Sequence, residues 1–197
     1  MFIKPKKSIA MAETKSSLLK NAINGGLLLG LIQIVFGVIL YVFDIMPIGI
    51  SKGLLMLGIS VLIFFVVVFY VTKSYRNNVL GGYISFGQAF VFGLAVVIVA
   101  AILSAIYSYI FNAFIDPEYA GRVLSATRDW TETFMESKGV PEAQITEALN
   151  KIDEKGLVTP LKSVRQALIG GTIMGAIITL ITSAIVKKKE EVIPAGE

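Results

Sequence analysis

The sequence predicts an all-α integral membrane protein: a four-helix bundle of spans with a small extracytoplasmic helical hairpin between the third and fourth. Three observations carry this. Of 197 residues, 55% are hydrophobic and mean hydropathy is +0.75, too apolar for a soluble domain of this length. Four long stretches are apolar all round rather than along one stripe, as a bilayer requires. One segment, residues 112–165, breaks the pattern with 7 basic and 9 acidic residues. The net charge of +4 reflects Lys and Arg at span ends, where the positive-inside rule puts them. No basic-aromatic motif points to nucleic acid.

The chain has no Cys and no His. Disulfides, thiolate chemistry and cysteine lipidation are excluded. The commonest acid–base group and metal ligand is missing as well, so no cofactor and no catalytic residue is expected.

Taken in order, residues 1–20 form a basic cytoplasmic tail with five Lys against Glu13, and Met11 offers an alternative start. The apolar run 23–43 is longer than a signal-peptide core, and Asp-Ile-Met-Pro follows it rather than a cleavage site. It reads as an uncleaved first span. A short turn with Pro47 and Gly49 makes the next span, 53–71, an antiparallel neighbour. Lys73, Tyr75, Arg76, Asn77 and Asn78 read as a polar turn, and Gly81-Gly82 release the third span, 87–111. Residues 21–111 thus hold three spans.

The insertion 112–165 opens at Asp116-Pro117, a carboxylate N-cap followed by Pro at the first helical position. Tyr119, Val123, Thr127, Trp130 and Phe134 form an amphipathic stripe, expected to pack on Ile145, Leu149 and Ile152 of a second short helix. Thr159-Pro160 starts the last helix, whose fourth span and cytoplasmic tail occupy 166–197, with Lys187, Lys188 and Lys189 as the stop. Residues 85–114 and 160–186 exceed a hydrocarbon core of about 30 Å, so both helices are expected to run on unbroken into a stalk for the hairpin. The lysines place both termini and the turn after the second span in the cytoplasm. A weak repeat, offset by 56, relates Asn21, Gly25-Gly26 and Phe36-Gly37 to Asn77, Gly81-Gly82 and Phe92-Gly93.

No ionisable residue lies inside a span, which argues against ion-coupled transport and proton relays. Small residues four apart permit close helix contact: Gly26 and Gly30, Gly49 and Gly53, Ala101 and Ala105, Gly171 and Gly175. Contact within the bundle is the simpler reading, and a partner or homo-oligomer the functional one. Gln33 at mid-span needs a hydrogen bond. Depth pairs it with Ser60, and Ser104 with Thr172. Trp130 is the remaining candidate contact residue.

The run GGYISFGQAF (residues 81–90), with Tyr75-Arg76 upstream and Phe114-Ile115-Asp116-Pro117 downstream, resembles a family of bacterial tetraspan proteins known as domain of unknown function 4199. The resemblance covers roughly residues 16–186. It implies a multi-pass bacterial inner-membrane protein and brings no assigned activity, cofactor or catalytic residue. Two functions follow as expectations. One is a non-enzymatic scaffold or accessory subunit of a membrane complex. The alternative is a small oligomeric carrier or channel lined by Gln33, Ser60, Ser104 and Thr179. Beyond the lipid bilayer, the partner is a membrane protein or a second copy, and no nucleic acid is expected.

Overall fold

The computed structural model describes residues 6–156 and 159–188, with residues 6–16 and Lys155 as backbone only. Lys4, Lys189 and the charged tail lie outside the described residues. The helices are α1 (Lys6–Val42), α2 (Ile50–Asn78), α3 (Phe86–Ile110), α4 (Tyr119–Ser137), α5 (Glu142–Lys155) and α6 (Pro160–Val186). A π-helical turn, Phe111–Ile115, prolongs α3. Four helical stretches are long and apolar enough to cross a membrane: Ser17–Val42, Ile50–Asn78, Phe86–Ile115 and Pro160–Val186. The fold is an all-α membrane bundle, and the 30-residue and 27-residue stretches are continuous.

Several boundaries move for physical reasons. The basic stretch is not separate from the first span: α1 runs from Lys6, because no Gly or Pro interrupts the chain between Lys6 and Gly25. The polar turn after the second span is still helix to Asn78, and Tyr75 enters the core, stacked on Phe92 at 4.0 Å. Chain reversal comes later, at Gly81 (φ 68) and Gly82 (φ 96), a backbone conformation that glycine adopts without a Cβ clash. Ser85 and Gln88 then cap α3 reciprocally, each side chain bonded to the other's backbone N–H. At α6, Thr159 accepts from the Lys162 amide with Pro160 at the first turn, as predicted.

The repeat does not survive. Gly25 and Gly26 lie inside α1, whereas Gly81 and Gly82 form a turn with positive φ. An offset of 56 therefore equates a continuous helix with a helix–turn–helix.

Helix α3 is the centre of the bundle, packed on α1 and on α6, while α2 lies chiefly against α6. Glycines set these contacts. A Cβ at Gly26 would come within 2.5 Å of Val99 and 2.7 Å of the Val96 carbonyl, and one at Gly30 within 2.9 Å of Leu103. On the other side of α3, Gly93 meets Thr179, Val97 meets Gly175 and Ala101 meets Gly171. Each step of four residues up α3 matches four down α6, and the same register ends in an antiparallel bridge between Ile84 and Lys188. Small residues bring the backbones close, which is how apolar helices gain dispersion contact in a medium that offers no hydrophobic drive.

The core is not evenly distributed. Ala22, Leu29, Val68, Phe92, Val96 and Val97 are fully enclosed, all near the end that carries the α2–α3 turn and the close of α6, the tail end. At the opposite, hairpin end, α1 has no buried residue beyond Gly30 and α2 none before Val68.

Candidate functional site

The polar chemistry of the molecule gathers at the hairpin end, and the π turn is what places it there. The Asp116 amide bonds the Phe111 carbonyl at 2.9 Å, an i to i+5 closure. Asn112 Nδ2 donates to the Ser108 carbonyl at 2.8 Å and so satisfies part of the helix end. Asp116, which ends the π turn, leaves the helical region (φ −147, ψ 81), and the helical conformation is disfavoured before a proline.

The Asp116 carboxylate is thereby turned onto α1 and α4. It accepts from the Tyr41 hydroxyl at 2.9 Å. Both of its oxygens meet the Arg122 guanidinium, Nη1 at 3.2 Å and Nη2 in a closer ion pair, the planar fork that suits a carboxylate. Only 12% of the Asp116 side chain stays exposed. Around it, Tyr41, Phe111 and Tyr119 meet edge-on, with ring centroids 5.0, 5.6 and 5.4 Å apart. Arg122 also lies over the Tyr119 ring at 5.6 Å.

Asp116 was expected to cap α4. Instead the helix begins at Tyr119 with no side-chain cap, because the carboxylate is engaged by α1 and by Arg122. That engagement decides its titration. Its hydrogen bond to Arg122 holds the Asp116 carboxyl below the usual carboxylate range; the Tyr41 bond and the positive charge help, and partial burial opposes them. Arg122 is raised in turn, chiefly by the same hydrogen bond. Burial pushes the Tyr119 phenol up, with Asp44 adding to the shift.

Trp130 makes a contact the sequence did not suggest. It stacks on Phe134 at 4.9 Å, and its indole lies against Gly49 of the α1–α2 turn. A Cβ at Gly49 would fall 2.7 Å from Nε1. Gly49 has φ 85 and ψ 165, a region essentially reserved for glycine. The aromatic stripe of α4 thus faces the ends of α1 and α2. Ile145 and Leu149 of α5 are still buried, and an Arg128–Asp153 ion pair ties α5 to α4.

On another face of α4, a cleft of about 970 Å³ opens between α4, the π turn and the start of α6. Ala113, Gly121 and Pro160 make its apolar surface, and Asn112, Ser125 and Asp129 its polar one. Chemically, this end offers a neutralised carboxylate–guanidinium pair and a cleft open to solvent. Among the described residues, no three of His, Cys, Asp and Glu are grouped to hold a metal.

Apart from Trp130, the residues singled out from sequence do not converge here. Gly26 and Gly30 face α3, and Gly171 and Gly175 face α3 with Phe64 of α2. Gln33 and Ser60 are half-buried and make no hydrogen bond to each other, because α1 packs mainly on α3 and α2 on α6. Ser104 and Thr172 make none either. The α3–α6 register sets Thr172 level with Ala100, leaving Ser104 one turn (~6 Å) farther toward the hairpin end. Thr179 is fully buried against Gly93. The Tyr41–Asp116–Arg122 cluster went unseen in the sequence. Tyr41 and Asp116 are 75 positions apart, and no periodicity joins them.

Fold and site together define a four-span, all-α membrane protein with a polar, aromatic-lined end beneath a helical hairpin. The chain belongs to the family described as "Protein of unknown function (DUF4199)", which matches residues 24–188. No curated protein and no solved structure matches it.

Proposed function

We propose that the protein is a non-enzymatic scaffold or accessory subunit of a bacterial inner-membrane complex, and that it meets its partner through the hairpin end. The observation that supports this reading is the closed tail end: Leu29, Val68, Phe92, Val96 and Val97 fill it with no exposed area. A carrier needs a path past that level. The outward faces of the spans carry Leu31, Val35, Leu62, Val66, Ile98, Ile102, Ile173 and Ile177, so an oligomeric pore would have an apolar lining. The hairpin end, by contrast, offers a cleft with polar and apolar walls.

In the orientation proposed, the tail end is cytoplasmic. Lys20, Lys73, Arg76, Lys187 and Lys188 cluster there, as the positive-inside rule demands. Reporters fused within residues 75–78 should read cytoplasm and one near Gly139 the outside; opposite signals would refute the topology.

The function is tested by mild-detergent affinity capture with mass spectrometry, comparing wild type with Ser125→Trp and Asp129→Lys in the cleft. Loss of a stoichiometric partner in the cleft variants, with the fold intact, supports the reading. Solute flux in liposomes that Gln33→Leu alters would overturn it in favour of the carrier.

A further inference from the structure

At the hairpin end α1 and α2 are joined by the short turn 43–49, and neither buries a residue there, α1 none beyond Gly30 and α2 none before Val68. Gly25 of α1 meets Val71 of α2 at the tail end. Gly37 continues the inward face of Gly26 and Gly30 one heptad on, yet a Cβ there would meet nothing within 4 Å. Gln33 and Ser60, also on this stretch, are half-buried. The two helices belong to different neighbours, α3 and α6.

Helix α4 crosses this weakly packed end and grips both helices. Its first residue, Tyr119, meets the Tyr41 ring, and Asp116 just before it takes the Tyr41 hydroxyl, so one grip is on the end of α1. Three turns later, ~17 Å along the axis, Trp130 sits on Gly49 at the start of α2. Arg122, on the same helix, holds Asp116 in place.

We propose that α4 is a clasp. Closed, it keeps the hairpin ends of α1 and α2 at a fixed separation. Released, it lets them part and exposes the inward face that carries Gln33, Gly37 and Ser60, while the tail end stays shut. The π turn is its hinge, since i to i+5 bonding leaves α3 intact below and Asp116 free to swing above. The clasp does not depend on which partner the hairpin meets.

The cysteine-free chain allows paired spin labels. Ile39→Cys with Leu54→Cys reports the hairpin ends of α1 and α2, and Leu19→Cys with Lys73→Cys reports the tail end; all four sites are exposed. Distances are measured by pulsed electron resonance on the full chain in lipid vesicles. Asp116→Asn and Tyr41→Phe should each lengthen or broaden the hairpin-end distance by ~5 Å, about one helical turn, with the tail-end distance unchanged. Tyr41→Phe keeps the ring packing, so it is the variant least able to disturb folding. An unchanged hairpin-end distance in both variants would overturn the clasp. So would a parallel change at both ends, which would mean general loosening.

Discussion

The two ends of this bundle are built on different principles. At the tail end, shape does the work: glycines let α1, α3 and α6 touch, Tyr75 stacks on Phe92, and Arg76 donates to the Val186 carbonyl at 2.8 Å. At the hairpin end α1 and α2 bury no residue of their own, and a carboxylate, a guanidinium and three aromatic rings bridge α1 to the π turn and α4 instead. Close packing has one good arrangement and resists change. A hydrogen-bonded bridge can be opened and remade at modest cost, and so suits an end that has to move.

Substituting the tail-end glycines tests the first half most severely. Gly175→Leu would drive a Cβ to 2.3 Å from Val97, and Gly26→Leu would press on backbone as well as side chain. Each should lose about 3 kcal/mol or more of stability, at or beyond the upper end for overpacked cores. Gly37→Leu, with nothing in reach, should stay within about 0.5 kcal/mol of wild type. Thermal unfolding in one detergent measures all three, and equal losses would erase the contrast between the ends.

A smaller effect is expected at the turn under α4. Gly49→Ala combines a disfavoured backbone conformation with a clash against the Trp130 indole. It should cost about 2 kcal/mol and shift Trp130 fluorescence to the red as the ring leaves its site. Trp130 is the only tryptophan, so the spectrum reads this contact alone.

The sequence spelled out the tail end better than the hairpin end. Gly26, Gly30, Gly171 and Gly175 announce close approach by spacing alone, because a helix repeats its face every three to four residues. The Ser85–Gln88 capping box went unread, although four consecutive residues carry its signature. The bridge was not readable, since Asp116 meets Tyr41 only after three helices have found their places. The stripe of Trp130 and Phe134 was visible as a stripe, but nothing local told whether it would face α5 or the α1–α2 turn. Pairings of Gln33 with Ser60 and Ser104 with Thr172 failed for a related reason. Depth in a bilayer can be counted along the chain, whereas helix neighbourhood and register cannot.

Acid separates the ends again. Asp116 is lowered from its ordinary pKa by Arg122 and Tyr41, so its contribution is complete above pH ~4, the unfolded value, and fades as pH falls through the lower folded one. The hairpin-end label distance should therefore hold steady from neutral pH to ~4 and lengthen only below that. Asp116→Asn should abolish this dependence. The tail end, with no carboxylate among its described contacts, should not respond.

The smallest effect concerns hydroxyls caught in the tight region. Thr72, Thr179 and Ser183 are buried there without a protein hydrogen-bond partner. Thr72→Val and Thr179→Val should be neutral or stabilise by about 1 kcal/mol, since an unmet polar group is removed with its demand. A loss of 2 kcal/mol in either would show that an enclosed water answers these groups and that the tail end is less dry than its packing implies.

The α3–α6 register has a consequence for how the protein is made. Along the chain, α3 is separated from α6 by the whole hairpin, yet α6 covers Gly93, Val97 and Ala101. While the ribosome is still working through α4 and α5, that face of α3 has no cover except lipid, although its other face has already met Gly26 and Gly30 of α1. The bundle is therefore assembled in two acts, and the second waits for the last helix to leave the insertion machinery. A nascent chain arrested before Pro160 would hold three spans in the membrane and expose, on its third, a strip shaped for a helix not yet made.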